Sequence, residues 1–227
     1  MILKSKDLEK RYKTYSNIRT KVGREVEKGV LIPLKKGIYT DDPMAEPFVF
    51  ANEICSPSYV SFESALALHG LIPKKSGKVF SATKSKSHTK EFVNQFGKFF
   101  YQDVPAKVYA KANAYYDAGT YVVLVASKEK AICDCLYRGE VILSIRELKK
   151  YLFQTLGIIE EEFWKLNLQQ MLSLCPYYRS RSLNTLQKFI EKKLGIAHKG
   201  KKKKKKSISK ADDAWEALAK FRNKYGE

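Results

Sequence analysis

The hydrophobic pattern of the first 28 residues predicts two short helices. Leu8 and Tyr12 lie four positions apart and form one apolar face of a helix over residues 7–15. In the next segment, residues 17–28, every fourth position is apolar, which indicates a second amphipathic helix. These apolar positions are Ile18, Val22 and Val26. The opposite face of the second helix is polar and therefore free to meet solvent or a partner.

A β-hairpin is predicted directly after the second helix. Ser16 is a suitable N-cap for that helix, and Gly29 is a suitable residue to end it. Residues 30–34 and 38–40 are rich in aliphatic and aromatic side chains and predict two strands. The connection, residues 35–37, reads Lys-Lys-Gly, and the glycine supplies the positive φ that a tight hairpin needs.

Beyond the hairpin, short strands alternate with helices. Pro43 and Pro47 interrupt regular structure, which places a domain boundary near residue 43. Strands are predicted over residues 79–83, 99–103 and 121–126, the last as a buried strand. Helices are predicted over residues 47–55, 61–69, 128–137, 144–156, 160–173, 182–194 and 210–225. The chain is therefore expected to be α+β, with a mixed α/β domain and a helical end over residues 44–198.

Charge directs attention to the start of the chain. The 227 residues include 43 lysines and arginines against 24 aspartates and glutamates, a net charge of +19. Residues 1–40 carry 11 basic and four acidic side chains, whereas the much longer segment 41–198 carries 21 and 16. Such a surplus attracts polyanions such as nucleic acid. The first 40 residues are the part of the folded region whose charge favours that role.

Two helices, a short turn and a hairpin together predict a winged helix-turn-helix over residues 1–43. The polar face of the second helix suits a major groove, where arginine pairs with guanine edges and asparagine with adenine edges. The lysines of the wing suit phosphate contacts. The candidate DNA-binding residues are Asn17, Thr20, Lys21, Arg24, Lys28, Lys35 and Lys36. Only 15 residues precede Ser16, so the helix that opens a three-helix winged domain has little room.

Membrane and secreted classes are disfavoured. The strongly apolar run over residues 121–126 has six residues, against the roughly 20 that a membrane-spanning helix needs. The early charges argue against a signal peptide, so we expect a cytoplasmic protein. The cysteines lack CxxC spacing and a neighbouring histidine cluster, which predicts buried free thiols. They are Cys55, Cys133, Cys135 and Cys175.

A lysine run follows the predicted middle domain. Residues 199–206 comprise seven lysines and one glycine. Two interpretations stay open: a flexible linker over residues 199–210, or an accessory segment that attracts phosphate without sequence preference. In the terminal segment, residues 211–227, Trp215 and Phe221 fall near one face of the predicted last helix.

Three segments resemble the AbiEi family of antitoxins from bacterial type IV toxin–antitoxin systems. Two lie in the middle region: Ser56-Pro-Ser-Tyr-Val-Ser-Phe-Glu-Ser-Ala-Leu-Ala-Leu-His-Gly-Leu-Ile72 and Ala126-Ser-Lys-Glu-Lys-Ala-Ile-Cys-Asp134. The third, residues 29–39, is similar to the family's wing, which ends in a Lys/Arg-Gly-aliphatic-Tyr pattern. The resemblance covers about residues 5–140, in the family's domain order. The lysine run and the last helix match nothing in it.

The resemblance implies a two-domain antitoxin. Its N-terminal winged helix would bind inverted repeats in the promoter of its own operon, on double-stranded DNA, and repress transcription. Its C-terminal domain would neutralise a cognate nucleotidyltransferase-like toxin, in this family without requiring a stable complex. The DNA-binding role is carried over only to the helix over residues 17–28 and to the wing lysines. No catalytic role is implied for the Ser-Tyr-Val-Ser-Phe-Glu segment.

The motifs of phosphate chemistry are absent from the sequence. No Gly-Ser dipeptide and no Asp-x-Asp occurs, which argues against the toxin half of such a pair, and no Gly-Lys is followed by Ser or Thr. We therefore expect neither catalysis nor a cofactor. One alternative is a metal-dependent nuclease or nucleotide-processing enzyme around Asp117, Glu129 and Lys130, although Glu129 also suits the positive end of a helix. Another is an interaction protein with a poor winged helix.

A few polar residues stay ambiguous at this level. Residues 177–181, Tyr-Tyr-Arg-Ser-Arg, mix aromatics and arginines as single-stranded nucleic-acid grooves do, but they also suit a partner surface between two packed helices. His69 is expected to be a capping or core residue at a helix end. Glu63 and Ser64 fall in the first turn of the same helix, where capping explains them.

Overall fold

A computed structural model of the chain describes residues 1–74, 77–84 and 89–196. Within these residues the protein is a mixed α+β structure with two sheets. The N-terminal elements are strand β1 (Ile2–Lys4), helix α1 (Ser5–Arg11), helix α2 (Ile18–Glu27), strand β2 (Ile32–Lys35) and strand β3 (Ile38–Thr40). β3 lies in the centre of a three-stranded antiparallel sheet, with the order β1-β3-β2.

Local hydrogen bonds set the ends of the two N-terminal helices. α1 begins earlier than predicted, because the Asp7 carboxylate accepts the N–H of Lys4 at 2.9 Å. The predicted Ser16 cap of α2 is wrong: Asn17 is the N-cap, and its Oδ1 accepts the N–H of Thr20 at 3.0 Å. Gly29, with φ of +72°, follows α2 and turns the chain toward the hairpin.

A small apolar cluster holds the N-terminal elements together. The predicted inward stripe of α2 is confirmed: Val22 is buried, and Ile18 and Val26 pack against the cluster. The buried members of this cluster are Leu3, Leu8, Tyr12, Val22 and Leu31. Burying one such side chain stabilises a fold by about 1.5–3 kcal/mol, so this cluster fixes how α2 is presented.

The rest of the described chain forms a second, larger layered unit. Its strands are β4 (Ser58–Val60), β5 (Lys78–Thr83), β6 (Lys90–Asn94), β7 (Gly97–Asp103), β8 (Asn113–Ala118) and β9 (Tyr121–Ala126). Its first helices are α3 (Ala51–Ile54, preceded by the 3₁₀ turn Pro47–Phe50), α4 (Phe62–Leu68), α5 (Ala106–Tyr109) and α6 (Lys128–Arg138). They are followed by α7 (Ile145–Lys149, continued by the wider π-helical turns Lys150–Thr155), α8 (Glu160–Trp164), α9 (Leu168–Tyr178) and α10 (Arg181–Leu194).

The six strands form one mixed sheet in the order β6-β7-β5-β4-β9-β8. β4 pairs parallel with β9 and antiparallel with β5, so the two resemblance segments, which contain β4 and the start of α6, come together at the sheet centre. α6 packs against both α4 and α9, and α9 packs against α10. The main core lies between the sheet and these helices.

Four strands were not predicted: β1, β4, β6 and β8. β6 and β8 are the two edges of the large sheet and are largely exposed, so neither shows a clean apolar alternation. The predicted strand over residues 121–126 is confirmed as β9, but it is not buried on both faces, because Val122 is 68% exposed.

Two predicted helices are wrong in their extent. The helix predicted over residues 7–15 already ends at Arg11, as α1. The segment predicted as a single helix over residues 160–173 divides into α8 and α9, because Asn167 starts a new helix by accepting the N–H of Gln170 at 2.9 Å. The four cysteines are free and buried, as predicted. The lysine run and the predicted last helix lie outside the described residues.

Several polar contacts join the N-terminal unit to the larger one. Lys4 pairs with Glu53 at 2.8 Å, and the Nδ2 of Asn94 donates to the carbonyl oxygen of Leu34 at 3.0 Å. Leu34 itself belongs to the main core, so strand β2 packs against the larger unit. Among the described residues, no helix is long and apolar enough to span a membrane.

Candidate nucleic-acid interface

The outer face of α2 carries most of the predicted DNA-binding residues. Because Val22 and its neighbours on the inward stripe pack into the N-terminal core, the opposite face is left to solvent. The predicted residues exposed at the cap and along this helix are Asn17, Thr20, Arg24 and Lys28. The structure therefore presents these four side chains on one accessible side of the N-terminal unit.

The two ends of α2 differ in the chemistry they offer. At the start, the cap uses the Oδ1 of Asn17 and leaves its amide NH₂ as a donor. At the end, Lys28 is the C-cap residue and its side chain is exposed. Arg24 lies one turn before Lys28, with a guanidinium able to donate two parallel hydrogen bonds.

Lys21 is placed differently from the other predicted residues. Its ammonium donates to the Glu25 carboxylate at 2.6 Å and lies 4.8 Å from the ring centre of Tyr15. This hydrogen bond raises the pKa of Lys21 and lowers that of Glu25. Lys21 is therefore held by its own protein against the turn between α1 and α2, rather than projecting from the outer face.

The two hairpin lysines also differ. The ammonium of Lys35 donates to the carbonyl oxygen of Ile54 at 2.8 Å and lies 5.4 Å from the ring centre of Phe92. Lys36 is exposed at the tip of the hairpin, where Gly37 has a φ of +79°. Lys36 is thus the better placed of the two for a phosphate.

Arg19 is an exposed basic residue of α2 that the sequence pattern did not single out. At about 100° per residue it falls at the edge of the polar face, toward the apolar stripe. The signal that could have found it is its position in the first turn, where groove-binding helices make base contacts. On the outer face itself, Arg24 and Lys28 outnumber the exposed acid Glu27, so this face is positive, and Arg19 adds a cation at its edge.

The two resemblance segments of the middle region meet in a buried polar cluster. Asp134 on α6 is fully buried and accepts hydrogen bonds from Ser61 at 2.6 Å, Tyr59 at 3.0 Å and Tyr178 at 2.5 Å. Burial raises the pKa of Asp134, against the lowering effect of nearby Lys130 and of the three hydroxyl groups. These hydroxyls join β4, the start of α4 and α9 to α6, which is a structural function.

Lys130, one turn before Asp134 on the same helix, is also fully buried. Its ammonium donates to three carbonyl oxygens around the end of α5: Val108 at 2.6 Å, Tyr109 at 3.2 Å and Lys111 at 2.6 Å. Burial lowers the pKa of Lys130 to about 8. Lys130 is therefore mostly charged at neutral pH, and its hydrogen bonds hold the end of α5 and the residues after it against the core.

The residues considered for a nuclease are not brought together. Glu129 is buried and accepts the N–H of Asn167 at 3.0 Å, while Lys130 points to the α5 carbonyls. Asp117 accepts the N–H of Gly119 in the β8–β9 turn. At the other end of β8, Asn113 pairs with Ala126, just before α6. Asp117 lies four residues from Asn113, or about 13 Å along the strand, and so lies away from the start of α6. Within the described ranges, no group of three or more His, Cys, Asp or Glu residues could hold a metal ion.

The polar residues of α4 bind neighbouring elements instead of capping their own helix. Ser64 accepts the N–H of Phe80 at 2.8 Å, and Glu63 pairs with Arg138, so the capping explanation for both is wrong. Glu63 and Ser64 also line a cavity of about 330 Å³ beside β5. His69 is the C-cap of α4, as expected, and its Nε2 lies 2.8 Å from the carbonyl oxygen of Ala126.

No protein-family model matches the chain, and no curated protein matches it. The resemblance to AbiEi antitoxins therefore stays a prediction. Function is inferred from the residues and geometry described above, of which the exposed basic face of α2 and the adjoining hairpin tip are the strongest feature.

Proposed function

We propose that this protein is a DNA-binding transcriptional repressor that also acts as the antitoxin of a type IV toxin–antitoxin system. The observation that carries the proposal is the positive outer face of α2, with Lys36 exposed at the tip of the hairpin that follows. A helix and a hairpin tip of this kind suit a major groove and a neighbouring phosphate. In our proposal the partner is double-stranded DNA carrying inverted repeats in the protein's own promoter.

The order of N-terminal elements supports a winged helix-turn-helix. α1 and α2 pack together and are followed directly by the β2–β3 hairpin, to which β1 adds a third strand. The connection between the helices, residues 12–17, is longer than the three or four residues usual in helix-turn-helix motifs. The buried Tyr12 fills part of that connection and anchors it to the N-terminal core.

The geometry favours a division of roles among the candidate residues. Arg24 is proposed to read a base, because a guanidinium on the outer face can donate two bonds to a guanine. Asn17 has committed its carbonyl oxygen to the helix cap, so we assign its remaining NH₂ to a phosphate rather than to adenine. Thr20, Lys28 and Lys36 are proposed to contact the backbone.

The antitoxin role rests on the resemblance of the middle region. The resemblance segments supply Tyr59, Ser61, Lys130 and Asp134 to a buried cluster, where no substrate reaches them. We propose that they keep the middle domain folded and that its surface neutralises a nucleotidyltransferase-like toxin. The protein itself is proposed to be non-catalytic.

A gel-shift titration tests the repressor proposal. The full chain is titrated against its own upstream promoter and against scrambled DNA of equal length, at one stated salt concentration, since affinity depends steeply on salt. We expect binding to the promoter at least about a thousandfold tighter than to scrambled DNA. Equal affinities for the two DNAs would overturn the repressor role.

A growth assay tests the antitoxin proposal separately. The gene is co-expressed with the adjacent reading frame, and growth is scored for the wild type and for Arg24→Ala. We expect both to protect, because α2 is assigned only to DNA. Failure of the wild-type protein to protect would overturn the antitoxin role and leave the promoter result unaffected.

A further inference from the structure

A second basic and aromatic surface lies on the larger unit, away from α2 in the sequence. It is formed by the end of β5, by α5 and the residues after it, and by the end of α9; we call it the α5–α9 surface. Its members are Lys84, Lys107, Tyr109, Lys111, Tyr177 and Arg179. Among them Tyr177 is 39% exposed, and the four cationic side chains are all exposed.

Two lysine–tyrosine contacts lie on this surface. The Lys84 ammonium lies 5.0 Å from the ring centre of Tyr109, and the Lys111 ammonium lies 4.4 Å from the ring centre of Tyr177. α5 packs directly against α9, which brings the two lysine–tyrosine pairs onto adjoining elements. The surface therefore combines one exposed ring, Tyr177, and one half-buried ring, Tyr109, with a cation beside each.

The neighbourhood contains little negative charge to neutralise these cations. Residues 104–112 and 176–184 include no aspartate or glutamate, yet they contribute four of the protein's lysines and arginines. The acid nearest in sequence is Asp103, whose carboxylate accepts the Thr83 hydroxyl at 2.6 Å. Asp134 lies beneath the surface but is fully buried among its own donors.

The buried cluster of resemblance residues holds this surface in place. Lys130 fixes the carbonyl groups of Tyr109 and Lys111, and Asp134 binds the hydroxyl of Tyr178, the residue next to Tyr177. Two non-glycine residues beside the surface have positive φ: Ala112 at +53° and Arg179 at +51°. Arg179 is the left-handed residue that ends α9. At Ala112 the surrounding contacts enforce the conformation.

We propose that the α5–α9 surface binds single-stranded nucleic acid. An exposed tyrosine ring such as that of Tyr177 stacks with a base of any identity, and the adjacent ammonium and guanidinium groups attract the neighbouring phosphates. A duplex keeps its bases stacked inside and offers the rings nothing, whereas an acidic protein segment would use only the cations. This role is independent of promoter binding by α2.

Fluorescence anisotropy with labelled 12-nucleotide oligo(U) and oligo(dT) tests the proposal on the full chain. The measurement is made at moderate and high salt, because stacking survives salt that screens the cationic ends of the chain. We expect Tyr177→Ala to weaken binding of a single strand on the order of tenfold at both salt concentrations, and Tyr177→Phe to preserve it. Comparison of the two oligonucleotides shows whether the sugar matters.

The matched controls are Tyr115→Ala and Lys188→Ala. Tyr115 is a 78% exposed tyrosine on β8, and Lys188 is an exposed lysine on α10, both outside the α5–α9 surface. We expect Lys111→Ala to weaken binding and both controls to leave it unchanged. Equal affinities for Tyr177→Ala, Tyr115→Ala and the wild type would overturn the proposal, as would a loss equally large for duplex DNA.

Photo-crosslinking gives a second, direct measurement. An oligonucleotide containing 4-thiouridine is irradiated with the full chain, and the modified residues are identified by mass spectrometry. We expect cross-links at Tyr177. Cross-links confined to residues 1–40 and to the lysine run would show that the single strand is held by non-specific charge, and would contradict the proposal.

Discussion

At the scale of single residues, neighbours of the same type have different chemical roles. Lys35 and Lys36 are adjacent in the hairpin, yet the Lys35 ammonium donates to the carbonyl oxygen of Ile54, whereas Lys36 lies exposed at the tip. On α2, Lys21 is held by Glu25, whereas Arg24 is exposed. Positive charge in the sequence therefore overstates the number of side chains available to DNA.

The first prediction separates base reading from phosphate contact. Arg24→Ala should cost about 1–3 kcal/mol of promoter affinity and relax sequence preference. Lys36→Ala should weaken all sequences alike and lower the salt slope by about one, and Lys35→Ala should change the slope less because its ammonium is already bound. Gel-shift titrations at several salt concentrations measure each effect, with Lys188→Ala as the control. Equal, sequence-independent losses for Arg24→Ala and Lys36→Ala would contradict the groove assignment.

The second prediction concerns the pH dependence of folding through Lys130. Its pKa is about 8 in the folded protein and about 10.4 in an unfolded chain, so between these values the unfolded state binds more protons. The free energy of unfolding should therefore rise with pH in that window. Relative to Lys130→Met, the wild type should gain about 2 kcal/mol between about pH 7.5 and about pH 9.5.

Urea unfolding at a series of pH values measures this difference. Lys128→Met is the control, because Lys128 is an exposed lysine on the same helix. The control should follow the wild type across the whole range. A constant difference between wild type and Lys130→Met would mean that the three carbonyl oxygens keep the ammonium charged throughout, and would contradict a lowered pKa.

At the scale of elements, the sequence predicts the helices and strands that have a local apolar pattern. It misses those that depend on pairing with distant parts of the chain. The stripe of α2, the hairpin, β5, β7, β9 and α6 were all predicted from their apolar periodicity. β4 has only three residues, and its two sheet partners come from distant parts of the chain, so no local signal marks it. The break between α8 and α9 depends on one capping side chain.

The same distinction applies to the candidate site. The outward set on α2 follows from helical geometry, so Thr20, Arg24 and Lys28 were placed from the sequence. The hydrogen bond from the Lys35 ammonium to Ile54 could not be predicted in this way, because Ile54 lies 19 residues away in α3. The buried hydrogen bonds of Asp134 likewise join distant residues: Tyr59 lies 75 positions before it and Tyr178 lies 44 positions after it.

The third prediction tests the two N-terminal elements that present the basic side chains. Gly23 lies inside α2 with no atom near its missing Cβ, so Gly23→Ala should stabilise the protein by about 0.5–1 kcal/mol. Gly37 has a φ of +79°, and an added Cβ would lie 3.0 Å from the Ser5 hydroxyl oxygen. Gly37→Ala should therefore destabilise by about 1–2 kcal/mol. Thermal unfolding of the two variants should shift in opposite directions, and shifts of the same sign would contradict the assigned backbone geometry.

At the scale of the whole molecule, the net charge of +19 is a sum of separate contributions. Residues 1–40 and the lysine run, residues 199–206, each carry a surplus of seven positive charges, while the long segment between them carries a surplus of five. Part of that smaller surplus is concentrated on the α5–α9 surface rather than spread over the domain. Total charge therefore indicates affinity for polyanions, whereas its distribution indicates where selectivity can arise.

The last prediction follows from this distribution. Replacing the six lysines of residues 201–206 by serine should lower the slope of log affinity against log salt by at most about five, since each phosphate contact contributes about 0.9. Affinity for promoter and scrambled DNA should fall by the same factor, because a run of identical point charges reads no base edges. Gel-shift titrations of both DNAs at three salt concentrations measure the slope and the ratio together. A collapse of the promoter preference in this variant would show that selectivity resides in the lysine run, and would contradict its assignment to α2.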